Sequence, residues 1–184
     1  MPILKIILDI CLLRGRAQDL PASLKLVWLT AAASVAVNAI GMPEQTLDLV
    51  QLLLITLQAA LFGAVVWLLL RLRDYTARWM QTVTALYAVD AVFTLLLLPF
   101  FPALREMFIG MMETIKQGLE VKPEWGAYVL FVFICWKLLV VARVLREATG
   151  WPLLLAFLVG FTALLVAAIL GGLVAMLFGL MVQA

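Results

Sequence analysis

The chain contains no histidine, and only two of its 184 residues are cysteine. Without imidazole it lacks the usual general base of membrane hydrolases and acyltransferases. Cys11 and Cys135 stand far apart with no CxxC spacing, which argues against a zinc site and against a quinone-linked disulfide relay. No Gly-rich phosphate loop and no GxSxG nucleophile turn occurs. Charge is scarce as well: 13% of residues are ionisable and the net charge is +2, too little to imply nucleic acid as a partner. These absences predict a protein that is not an enzyme and carries no cofactor or metal.

What remains is apolar. Hydrophobic residues make up 66% of the chain, and they fall into long runs separated by short charged segments. This predicts an all-α, polytopic membrane protein forming one domain over residues 1–184. Five transmembrane helices and two short interfacial amphipathic helices account for the runs.

The first segment, 3–14, is too brief to span. Lys5 and Asp9 stand one turn apart on it, and Arg14 and Arg16 follow. Two placements are open: flat on the cytoplasmic leaflet, or packed as a lid on the bundle. Asp9 interrupts the apolar stretch and no small-residue cleavage site follows, so the segment is expected in the mature protein. Ile10 precedes Cys11 where a lipoprotein signal needs a small residue. Pro21, Ala22 and Ser23 then offer a turn and a cap.

Spans are predicted at about 24–40, 47–70, 79–101, 124–145 and 153–182. The first is alanine-rich and carries Asn38 near its outer end; Gly41, Met42 and Pro43 break it, and Glu44 opens the loop. The second carries Gln58 near mid-depth, where an unpaired amide is costly and an interhelical hydrogen bond is the plain explanation. Pro99 and Pro102 are expected to end the third. Residues 103–121 alternate Leu104, Met107, Met111 and Ile115 with Arg105, Glu106, Glu113 and Lys116 at helical spacing, which predicts an outer amphipathic helix. The last span repeats small residues, Gly160, Ala163, Ala167, Gly171, Ala175 and Gly179, every three or four positions. Such a stripe lets a neighbouring helix approach closely.

Two ionisable side chains lie deep inside apolar runs, Asp90 in the third span and Lys137 in the fourth. A charge at the centre of a spanning helix costs roughly 2.5–3.5 kcal/mol on insertion scales and calls for a partner. Counted from the basic end of each helix at 1.5 Å per residue, the two come within roughly 3 Å in depth. The bundle is therefore expected to be arranged around this pair. Tyr87 and Thr94 share the helical face of Asp90, and with Asn38 and Gln58 they define either a buried network or a polar path.

Lys5, Arg14, Arg16, Lys25, Arg71, Arg73, Arg78, Arg143 and Arg146 fall on one side of this topology. Arg105, Lys116 and Lys122 fall on the other, in a net acidic segment. The positive-inside rule then predicts a cytoplasmic N-terminus and a C-terminus on the far side of the membrane, which in a bacterial inner membrane, the setting implied by the resemblance described next, is the periplasm.

This layout, together with QTVTALYAVDAVFTLLLLP (81–99) and FICWKLLVVARVLREATGWP (133–152) followed by a small-residue last span, resembles bacterial members of the Yip family. The likeness covers about the last two thirds of the chain. It implies a small non-catalytic membrane protein; eukaryotic relatives act in vesicle traffic with Rab-type GTPases and form hetero-oligomers. Their acidic, Gly-Pro-containing signature is not recognisable here, so GTPase binding is not carried over. Three functions are compatible with the chain: an accessory or scaffold protein touching itself or another membrane complex, a small transporter or ion-coupled channel using Asp90 and Lys137, and a lipid-handling protein. Membrane lipid is an expected partner in each. A reporter fused after Ala184 is expected to be active only on the periplasmic side; a cytoplasmic signal would overturn the topology.

Overall fold

A computed structural model describes residues 3–41, 49–116 and 125–183. Seven α-helices follow in order among these residues: α1 (Ile3–Cys11), α2 (Leu24–Ile40), α3 (Leu49–Arg71), α4 (Trp79–Leu97), α5 (Phe101–Lys116), α6 (Trp125–Thr149) and α7 (Leu153–Gln183). Among the described residues there is no strand. Three helical stretches among the described residues are long and apolar enough to cross a membrane: Leu49–Arg71, Thr76–Met112 and Trp125–Thr149. The break at Met42 and Pro43, Glu44, the part of 103–121 beyond Lys116, and Lys122 to Glu124 lie outside the described residues.

Helix boundaries follow from local chemistry. At α1 the chain reverses through Leu13, whose φ of 61° is left-handed, and the Arg14 and Gly15 amides both donate to the Asp9 carbonyl. α6 stops at Gly150, which takes φ +72° and donates its amide to the Arg146 carbonyl. Glycine tolerates that conformation without a Cβ clash. Pro152 follows, and its carbonyl receives the first amide of α7, from Ala156.

α4 ends at Leu97, just before Pro99, as the sequence reading has it, but helical structure resumes at once beyond the prolines. Pro99 has no N–H for the Leu95 carbonyl. The Leu98 amide bonds both Leu95 and Thr94 instead, and the chain tightens into a 3-10 turn over Leu98–Phe100. Pro102 lies in the first turn of α5, where an amide would have no intrahelical acceptor. The result is one helical stretch from Thr76 to Met112 with a 3-10 joint, 37 residues long.

α4 is the centre of the molecule. Every residue from Thr82 to Val89 is buried, so this helix is surrounded on all sides rather than along one stripe. α2, α4, α6, α7 and α3 pack in that order, and α3 returns to α2 to close a ring. α1 covers α4 and α6 from outside. Its inner face buries Ile10 and Cys11, while Leu4, Leu8 and Leu12 stay exposed. The Trp136 indole donates to the Cys11 carbonyl at 2.9 Å, and Arg143 donates to the Leu13 carbonyl. The packed-lid placement thus describes one face of α1, and the other face is free apolar surface. Burial pushes the Cys11 thiol up to about 11, so at neutral pH it is a protonated, unreactive packing group.

α7 lies against α6 and α3, with Ala156, Ala163 and Ala167 buried. The surroundings of Gly171, Ala175 and Gly179 lie outside the described side chains. A β-carbon at Gly160 would stand 3.0 Å from Leu145 Cδ1 and 3.1 Å from Val141 Cγ1. Gly160→Leu is therefore expected to lose about 1–3 kcal/mol from over-packing, read as a lower midpoint in reversible detergent unfolding. An unchanged midpoint would show that α6 and α7 do not approach this closely.

Candidate functional site

The ring of helices encloses a cavity of about 190 Å³ lined by Ser34 and Asn38 of α2, Gln58 and Phe62 of α3, Tyr87 and Asp90 of α4, Lys137 of α6 and Ala167 of α7, among others. Asp90 supplies its charge and Lys137 the countercharge. Lys137 Nζ donates to Asp90 Oδ1 at 2.5 Å. The second carboxylate oxygen is held from α2: Ser34 Oγ donates to Oδ2 at 2.5 Å, and Asn38 Nδ2 donates to the same atom at 2.9 Å. Ser34 and Asn38 are four residues apart, hence on one face of α2. The Asn38 amide also reaches the Ser34 carbonyl at 2.8 Å, which fixes its rotamer.

One carboxylate therefore ties three helices together. Charge-assisted hydrogen bonds are roughly twice as strong as neutral ones, and three donors from two directions replace the water that Asp90 gives up. The site is not sealed: the side chains of Asp90 and Lys137 both remain 28% exposed.

Tyr87, one turn before Asp90, crosses to the opposite wall. Its hydroxyl donates to the Ala59 carbonyl of α3 at 2.7 Å, and its ring tilts against Phe62 with centroids 6.5 Å apart. Gly63 makes the crossing feasible, because a β-carbon there would stand 2.5 Å from the Tyr87 hydroxyl. Trp79 donates its indole N–H to the Gly63 carbonyl at 3.2 Å. α3 is thus pinned to α4 at two levels.

The remaining sequence candidates separate. Asn38 belongs to the Asp90 cluster. Gln58 lines the cavity but is exposed, so it sits at the rim rather than in a buried interhelical bond. Thr94 is buried and is not among the residues lining the cavity. Ser34 and Gly63 were not singled out from the sequence as site residues. The four-residue spacing of Ser34 and Asn38 is the signal that was there for the first; nothing local distinguishes Gly63.

At the basic end, Glu147 organises a second cluster. Its carboxylate accepts from Arg143 Nε at 3.2 Å and from the Ala17 amide at 3.4 Å. Arg78 donates to the carbonyls of Glu147 and Ala148, both at 3.3 Å, a favourable cation at a helix C-terminus. Gln81 donates to the Leu20 carbonyl at 2.7 Å. Among the described residues no three His, Cys, Asp or Glu side chains gather into a group able to hold a metal ion. No protein-family model, no curated protein and no solved structure matches the chain.

Removing one member of the central pair leaves the other charge uncompensated. Asp90→Asn or Lys137→Met alone is expected to cost about 3 kcal/mol, the low end for a buried pair because both groups keep some solvent. The double variant Asp90→Asn/Lys137→Met is expected to cost less than the sum of the two. Strict additivity in detergent unfolding would show that the two side chains do not interact.

Proposed function

We propose that the chain is a five-span protein of a bacterial inner membrane, with its N-terminus in the cytoplasm and its C-terminus in the periplasm. It acts as a non-catalytic accessory or scaffold protein through helix contact with a second copy or with another membrane complex. The observation that supports this reading best is the engagement of both Asp90 oxygens, which take donors from Lys137, Ser34 and Asn38. The deep charges are spent on joining α2, α4 and α6. The likeness in layout to bacterial Yip-family proteins points the same way.

The surface suits this role. Trp28, Leu29, Phe131 and Val132 project outward from the flanks of α2 and α6, where lipid or a partner helix would cover them. α5, with Leu104 buried against the bundle and Arg105, Glu106 and Lys116 exposed, would ride at the outer interface. Extraction in mild detergent followed by affinity capture is expected to bring down a stoichiometric membrane partner or a second copy of the chain. Strict monomers with no partner, in detergents that preserve known complexes, would overturn the accessory role.

The cavity favours a second reading. A partly open chamber holding an ion pair, with the Gln58 amide at its rim, is also how a small transporter or ion-coupled channel would be built. Proteoliposomes separate the two. Asp90→Asn that leaves the protein folded but abolishes a solute or proton flux would establish transport, and no flux from the wild-type chain would exclude it.

A further inference from the structure

A second hollow, of about 740 Å³, lies at the basic end of the bundle, between the α1–α2 connection, the last turns of α6 and the start of α7. Arg16, Arg143 and Arg146 line it, with Glu147 as its carboxylate. Glu147 is already engaged by Arg143 and by the Ala17 amide, and Arg143 is further held by the Leu13 carbonyl. Arg16 and Arg146 are exposed, and neither forms an ion pair among the described residues. Arg16 and Arg146 thus line a preformed hollow whose lining carboxylate, Glu147, is already paired; the Asp19 carboxylate beside Arg16 accepts from the Arg16 backbone amide at 3.2 Å. Guanidinium is the group best matched to the oxygens of a phosphate.

The walls narrow the occupant further. Leu139 and Leu153 line the hollow and are exposed along the outer flanks of α6 and α7. Trp151 also lines it, and the Arg73 guanidinium stacks over its ring at 5.8 Å. An occupant needs an anionic head for the arginines and an apolar tail for the leucines. A free phosphate would use only half of the surface.

We propose that this hollow binds the phosphate headgroup of an anionic membrane phospholipid, with Arg16 and Arg146 as the ligating side chains and the acyl chains running down the Leu139 and Leu153 flank. The site rests on the membrane-embedded reading above, and it is independent of whether the protein acts as a scaffold or a transporter. It places the headgroup on the leaflet that carries the basic loops, where basic pockets between helices are suited to such lipids.

The test uses the purified full chain in detergent, titrated with phosphatidylglycerol, phosphatidylcholine or inorganic phosphate and read by native mass spectrometry and by thermal unfolding. Phosphatidylglycerol is expected to bind and to raise the unfolding temperature, whereas phosphatidylcholine and inorganic phosphate do neither. The variant Arg16→Gln/Arg146→Gln is expected to weaken phosphatidylglycerol binding about 30-fold. Arg105→Gln, at the opposite end in α5, leaves it unchanged. Both variants alter exposed side chains, so the fold is retained. Equal binding of phosphatidylcholine, or unaltered binding by the double variant, would overturn the proposal. Displacement of the lipid by inorganic phosphate would assign the hollow to a soluble phosphate instead. Release of the wild-type chain from membranes by alkaline carbonate would overturn the membrane reading itself, a result separate from any of these.

Discussion

Sinking the carboxylate of Asp90 into the middle of an apolar bundle is the constraint from which the architecture follows. An isolated ion there would lose several kcal/mol of hydration with no return. The compensation comes from other helices: the three donors that reach Asp90 stand on α6 and α2. Lys137 brings α6 to one oxygen and Ser34 with Asn38 brings α2 to the other. α4 is accordingly the helix against which α2, α6, α1 and α3 all pack.

The same polar logic sets the remaining joints. Tyr87 and Trp79 hold α3 to α4 through backbone carbonyls of Ala59 and Gly63. Arg78 and Gln81 hold the base of α4 to the end of α6 and to the connection before α2. Each uses a donor from α4 or, for Arg78, from the turn that leads into it, and an acceptor that belongs to another part of the chain. Between these levels the contacts are small and smooth, as at Gly160 against Leu145 and Val141. Polar anchors at fixed depths and close apolar packing between them are complementary: the first selects the register, the second fills the space.

Much of this was legible in the chain. Helix positions came from run length and from glycine and proline punctuation, because a helix in an apolar setting must satisfy its backbone internally. Asp90 and Lys137 stood out because no other charges lie so deep, and depth counting along two neighbouring helices is a one-dimensional problem. Ser34 was harder to see: a serine among alanines reads as a small packing residue, and only the approach of α2 to α4 turns its hydroxyl toward the carboxylate. Gln58 and Thr94 share the polar character of the site residues, yet helix rotation sends one to the rim and buries the other elsewhere. Rotation about the axis is a property of the assembled ring, not of any single segment. The prolines marked the end of α4 at Leu97, but not that helical structure resumes directly beyond them, since that depends on whether the Leu98 amide can redistribute its bonds.

That redistribution at Leu98 has a mechanical consequence. Because helical structure runs from Thr76 through the 3-10 turn to Met112 without a slack loop, α5 is an outrigger on the same shaft that bears Asp90. A displacement of α5 therefore bears on α4 through helical backbone alone, with no irregular connection between them to absorb it.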